Sequence, residues 1–337
     1  MDVLPRTRAG RIRLLLLLLT PVALAASLGL YGIPMPGESF QGTPPELTPE
    51  ELATRGRLRR LVQVLAGEIG ERHVGRPDAL VAAAEFLERE LAGLGYEVGR
   101  QTYATGSVEV ANLEVARTGS AGELGCIVVG AHYDTVPGTP GADDNASGAA
   151  ALIEIARLLR QHAFRHDVRF VLYANEEPPY FQTDAMGSLV HARGLAREGV
   201  DVVAMISLES IGYYTTAAAS QDYPPLFGAF YPDRGVFLAF AGNLGSRSLV
   251  RRAVRAFRGH ATLPSEGIAA PGFIVGVGWS DHWAYWEQGY PAVMVTDTAP
   301  FRNPGYHGPA DTPETLDYEA MTRAVRGLVR VIQELDG

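Results

Sequence analysis

At 337 residues, with 47% hydrophobic and 20% charged side chains, the chain has room for one large domain or two small ones and for a sizeable core. Its formal net charge of −9 argues against nucleic acid as a partner, because a phosphate binder carries a basic excess. The single cysteine, Cys126, rules out an internal disulfide, and no cysteine follows the apolar N-terminal run where a lipid anchor would need one.

The densest basic run, Arg6, Arg8, Arg11 and Arg13, stands directly before an apolar run from Leu14 to Tyr31. Residues 1–35 therefore read as a signal peptide or a single membrane anchor. Ala23-Leu24-Ala25 suits signal cleavage, while the length of the run also reaches that of a spanning helix. Either way the basic end stays in the cytoplasm and the rest crosses the membrane, so the body is expected to be membrane-anchored, periplasmic or extracellular. Residues 36–48, rich in Pro and Gly, read as an extended linker to a body over 49–337.

Apolar residues at helical spacing predict helices over 52–69 and 79–94, the second opened by Pro77 and Asp78. A strand pair over 96–103 and 108–116 follows. The chain then alternates, with strands over 126–131, 168–174, 202–208, 236–241 and 292–296, and helices over 146–162, 185–198, 246–258 and 317–335. This rhythm predicts an α/β fold, three layers with helices on both faces of a mainly parallel central sheet. A loop-rich span at about 211–279 interrupts the rhythm and reads as a lid over the site, being too short to bury a core of its own.

Polar residues follow the apolar strands. His132 and Asp134 come after the first, Asp144 lies in Gly141-Ala-Asp-Asp-Asn-Ala-Ser-Gly148, and Glu176 with Glu177 and then Glu209 come after the next two. Singly these have bland readings: a hydrogen-bonded histidine, a helix cap, a solvated glutamate pair. Together they do not, because unpaired carboxylates near a core cost several kcal/mol and no Lys or Arg lies within 132–147. A divalent cation is the simpler partner, and ligands of open α/β sheets collect beyond the carboxyl ends of the strands. Asp134 is spaced to accept the imidazole proton of His132 that a metal leaves unused. Neighbouring side chains diverge after a strand, so one of Glu176 and Glu177 can bind metal while the other takes a proton from the attacking water.

The ordered set His132-Tyr-Asp134, Gly141 to Gly148, Asn175-Glu-Glu177, Ser207-Leu-Glu-Ser210, Ser280-Asp-His282 and Tyr306 to Thr312 resembles metallopeptidase family twenty-eight, the co-catalytic dizinc aminopeptidases. Relatives of that family include glutamate carboxypeptidase, the transferrin receptor ectodomain and glutaminyl cyclase. The resemblance spans about residues 50–335 and implies a zinc-exopeptidase fold, two divalent ions, zinc by family habit, and a peptide substrate cut at its amino end. By position it implies His132, Asp144, Glu177, Glu209 and His307 as ligands, Asp144 as the bridge and Glu176 as the base. Many members have Asp where this chain has Glu209, whose extra methylene alters the reach of the ligand.

Ser280-Asp-His282 cannot act as a nucleophilic triad, since three consecutive residues do not converge on one point; it reads as support for the site. Arg302, Tyr306 and Asp281 are candidate substrate contacts. Trp279, Trp283, Trp286, Tyr213 and Tyr214 are core candidates that would otherwise line an apolar subsite. The rival readings are a glutaminyl cyclase-like acyltransferase with one zinc and a noncatalytic, peptidase-like binding ectodomain.

Overall fold

The computed structural model describes residues 7–225 and 227–337. Arg6 of the basic run lies outside them. The leucine-rich run forms helix α1, Arg8–Ser27, followed by a wide turn over Leu28–Gly32. Among the described residues no helix is long and apolar enough to cross a membrane. The extended segment after it is not a free linker: Arg258 and Arg323 donate to the carbonyls of Gly37 and Pro45. Prolines leave such carbonyls without internal partners, and the body's arginines supply the donors.

The body opens with helix α2, Pro49–Val62, under a capping box in which Thr48 and Glu51 satisfy each other's backbone N–H. Helix α3 covers Pro77–Gly93. Eight strands then form one sheet: β1 Gly99–Thr105, β2 Val108–Arg117, β3 Cys126–His132, β4 Asp167–Tyr173, β5 Val202–Glu209, β6 Leu238–Gly242, β7 Ser265–Ala269 and β8 Ala292–Thr296. Their spatial order is β1-β2-β4-β3-β5-β8-β6-β7.

The central block β4-β3-β5-β8 is parallel, but β2 runs antiparallel to β4 and β6 antiparallel to β8. The sheet is thus mixed, with four of its seven pairings parallel, β6 with β7 included. The β1–β2 hairpin turns at Gly106, at φ 61°, and a tight hairpin can only pair antiparallel. Strand β7, absent from the sequence expectation, is short and carries Gly267; pairing with β6 stabilises it, not an apolar alternation of its own. Strand β6 and helix α6, Arg247–His260, lie where the sequence predicts them inside the span 211–279, and β7 adds to them, with loops on either side.

Strand β3 is buried along its whole length, as a parallel strand covered on both faces must be. One face packs helix α4, Gly148–Leu158, and α9, Tyr318–Asp336, together with α2, α3 and α6. The other packs α5, Gly187–Glu198, and α7, His282–Trp286. Register places His132 beside Tyr173 and Glu209 beside Thr296, so the carboxyl ends of all four parallel strands share one edge.

Candidate metal centre

His132 and Glu209 are the last residues of β3 and β5, and Glu176–Glu177 follow β4 by two residues. Asn175, Ser210 and His307 have positive φ of 59°, 47° and 55°. Side-chain-bearing residues enter that region only when their surroundings enforce it, and here each lies beside or at an expected ligand or the expected base. The Asp144 turn is fixed from both sides. The Asp311 carboxylate accepts the N–H of Asp143 and Asp144 at 2.9 and 3.1 Å. Asn145 accepts from Gly148 and Ser210 and donates to the Leu208 carbonyl, which ties the turn to the end of β5. A Cβ on Gly148 would stand 2.5 Å from that carbonyl, so only glycine allows the approach. Asn145, not Asp144, serves the helix start.

Asp144 is left to face two partners. Its Oδ1 is 3.3 Å from His132 Nε2, and its Oδ2 is 3.1 Å from His307 Nε2. Glu209 Oε2 reaches the same His132 nitrogen at 3.1 Å, and Glu177 Oε2 reaches the same His307 nitrogen at 3.4 Å. Two donor triplets, His132/Asp144/Glu209 and Asp144/Glu177/His307, thus share Asp144 through opposite oxygens, each triplet with ligand atoms within 4.8 Å; a third, His132/Glu176/Glu177, overlaps both. Glu176 Oε2 lies 3.9 Å from His132 Nε2 and belongs to the third triplet but to neither of the two that share Asp144.

The electrostatics favour a cation. Burial pushes Glu177 up to about 8 and drives Glu176 well above the usual carboxylate range. For His307 burial pulls the other way, but hydrogen bonds to Asp144 and Glu177 outweigh it and raise the imidazole to about 10. Buried His132 Nδ1, Asp144 Oδ1 and Glu177 Oε1 lack hydrogen-bond partners. Acidic groups that raise each other's proton affinity, with donor atoms left unpaired, fit hard divalent ions with mixed N and O ligands.

Asp134 stands 3.4 Å from His132 Nδ1, without a well-aligned hydrogen bond. Its two oxygens accept the N–H of Glu176 and Glu177 at 3.1 and 3.2 Å, so it also sets the backbone that carries the expected base and ligand. Ser280 donates to Glu209 Oε2 at 2.7 Å, and Ser210 donates to Oε1 at 3.1 Å. His282 turns away to the Val277 carbonyl. The support expected of Ser280 is thus a restraint on the longer Glu209 side chain.

Two expected substrate contacts are corrected. Arg302 is 6% exposed, and its guanidinium reaches Gln221 Oε1 and the Phe237 carbonyl, holding the loop between β5 and β6 instead of facing the cleft. Asp281 is fully buried with both oxygens unpartnered, and burial pushes it up to about 7; it cannot reach a substrate. Tyr306 does remain on the cleft wall, its ring stacked on His307 at 3.8 Å. Of the aromatic candidates, Trp279 lines the cleft; Trp283 packs on Phe181, and Trp286 donates to the Ala292 carbonyl.

A cation absent from the sequence expectation lies beneath the site. Arg72 is fully buried and donates to the carbonyls of Tyr133, Gly70, Pro140 and Gly141 at 2.6, 3.0, 2.7 and 2.9 Å. Burial lowers it to about 10 while Asp134, Asp311 and Asp144 oppose the loss of its proton, so it stays charged at neutral pH. It is spent on the loops that carry His132 and Asp144, not on the carboxylates. Arg72→Met keeps the bulk but leaves these carbonyls without donors, and should lower unfolding stability by about 3–5 kcal/mol. An unchanged urea midpoint would show that Arg72 does not brace the loops.

A family model, "Peptidase family M28", matches residues 112–332. The chain is 40% identical over 304 residues to the uncharacterized protein YfbL of Escherichia coli strain K12, covering 87% of this chain and 90% of that one. A probable leucine aminopeptidase 1 of Trichophyton verrucosum is 25% identical, over 62% of this chain and about half, 54%, of its own length. Among solved structures, the zinc aminopeptidase BSAP of Bacillus subtilis aligns with a TM-score of 0.64 at 14% identity, covering 83% of this chain and 94% of that one. A glutaminyl cyclase of Fimbriiglobus ruber aligns with a TM-score of 0.62 at 22% identity, covering 88% and 98%.

Proposed function

Since the chain belongs to peptidase family M28, we propose that it is a metal-dependent exopeptidase that releases amino-terminal residues, using two divalent ions with zinc as the first candidate. The observation that carries the two-ion reading is the shared Asp144, one oxygen toward His132 and the other toward His307. His132 and Glu209 would hold one ion, Glu177 and His307 the other. When bound, such ions supply Lewis acidity toward the scissile carbonyl and acidify water. Glu176, on the cleft wall and outside the two triplets that share Asp144, takes the proton of the attacking water on Oε2 and returns it to the leaving amine. The basic start and apolar α1 support export of the body, with α1 retained as an anchor or removed.

The amine, not the carboxylate, is the substrate end this cleft suits. Asp144, Glu176, Glu177 and Glu209 line it together with Pro178, Phe181, Trp279, Tyr306 and His307; among the described lining residues there is no Lys or Arg. Acetylating a peptide's amino end should abolish cleavage, removing a charge that a partly desolvated carboxylate holds for about 1.5–3 kcal/mol. Amidating the carboxyl end should change little. Equal rates on blocked and free peptides would sink the aminopeptidase reading and leave the metal site standing.

Beside the cleft, and sharing Glu209, Trp279 and Tyr306 with it, lies an apolar cavity of about 120 Å³. That is close to the ~150 Å³ cavity that accepts a benzene ring. We assign it to the first side chain of the substrate, of Leu, Met or Phe size. Ala239 lines it from β6, and Ala239→Phe fills it. With about 1.5–3 kcal/mol of side-chain burial lost, kcat/KM should fall roughly ten- to a hundredfold on a leucyl peptide and much less on an alanyl one. Equal losses on the two peptides would place the first side chain elsewhere.

A further inference from the structure

The segment after α1 is fastened to one face of the body by arginines of α6. Arg247 Nε donates to the Tyr31 carbonyl at 2.8 Å, and its guanidinium lies 3.9 Å from the centre of the Tyr31 ring. Arg251 donates to the Pro34 carbonyl, and Arg258 donates to that of Gly37 at 2.9 Å. Ser39 Oγ accepts the N–H of Ser265 on the edge strand β7, and Met35 packs against Gly267 of the same strand. The point where α1 leaves the body is therefore set by the fold, not by a floppy tether.

Large apolar side chains stay exposed around that point. Tyr31, Phe230 and Leu244 are 52%, 53% and 46% exposed there, and further along α1 Leu15, Leu16, Leu17 and Leu19 are 52–72% exposed. The Phe230 ring lies within 3.9 Å of where a side chain on Gly29 would begin. Leu244 closes the turn that leads into α6. Phe227, in the same turn as Phe230, lines the apolar cavity, as do Val275 and Trp279 on the rim. Helix α6 carries Arg247, Arg251, Arg252, Arg255 and Arg258 without an acidic residue, in a chain whose net charge is −9.

We propose that the face formed by Tyr31, Phe230, Leu244 and the α1 leucines rests on an anionic lipid bilayer, and that the arginine strap holds the body there in one attitude, with the apolar cavity beside the lipid surface. Aromatic and leucyl side chains beside a basic helix match the apolar layer and phosphate headgroups of such a surface. A second copy of the chain would bring the same arginines against each other. This inference concerns where the body sits and stands apart from the peptidase reading.

Site-specific labelling of the full-length protein tests it. Cys126 is buried, so Phe230→Cys and Leu244→Cys each supply one reactive thiol for an environment-sensitive dye, with Val81→Cys on α3 as the exposed control. Vesicles of phosphatidylglycerol and phosphatidylethanolamine should shift the dye emission to the blue at 230 and 244 and leave it unchanged at 81, with a weaker response to pure phosphatidylcholine. The proposal is overturned by vesicle flotation without a response at 230 and 244, which means a flexible tether. An equal response at 81, a response without vesicles that grows with protein concentration, or no vesicle association also overturns it. None of these readings depends on turnover, so loss of the peptidase reading would be seen separately, on a soluble peptide.

Discussion

Glu176→Gln should keep its metal and lose about 10² to 10⁴ of its turnover rate. The amide preserves the shape of a side chain that lies only 3.9 Å from His132 but outside the two donor triplets that share Asp144, so those ligands keep their places. What disappears is the proton acceptor. Burial holds Glu176 well above the usual carboxylate range, with His132 opposing the shift and Glu177 and Glu209 adding to it. KM for a good substrate should change far less than kcat, because the loss falls on the transition state. Metal content by elemental analysis and kcat on a leucyl peptide check both halves. Near wild-type kcat would remove Glu176 from the role of base.

Asp144→Asn should lower the occupancy of both ions together. In the wild type one carboxylate serves His132 with Oδ1 and His307 with Oδ2, and burial, which would raise its proton affinity, is outweighed by the two imidazoles, leaving it below the ordinary carboxylate range. A neutral amide withdraws the shared negative charge and offers one oxygen where there were two. Metal titration should show two equivalents on the wild type and weakened binding of both on the variant. Loss of one ion alone would make Asp144 an ordinary ligand of a single site. One equivalent on the wild type would favour the one-zinc, cyclase-like chemistry instead.

The donors of the centre were legible in the sequence because each follows an element whose own pattern is strong. Cys126–His132 and Val202–Glu209 are nearly unbroken apolar runs, Asp167–Tyr173 becomes one after Arg169, and a buried parallel strand can end in only one direction relative to its neighbours. Polar groups placed just after such runs gather at one edge. His307 has no strand to announce it and was placed by resemblance alone; the structure brings it to Asp144 on a loop at positive φ.

What the sequence by itself determined is the kind and order of the chemical groups: apolar strands, the acids and histidines after them, the glycine of the Asp144 turn and the basic, apolar start. These are local properties, carried by residue type and spacing over a few positions. Only the tertiary structure decided which charges are left for a ligand. Arg302, next to the site in sequence, is consumed by Gln221 and the Phe237 carbonyl, while Arg72, far from it in sequence, is held by carbonyls of the loops that carry His132 and Asp144. Asp281, one residue from the Ser280 that restrains Glu209, is sealed in the interior. A charged group inside a fold is satisfied by whichever backbone polar atoms converge on it, and that convergence depends on how distant loops meet, which no local spacing records.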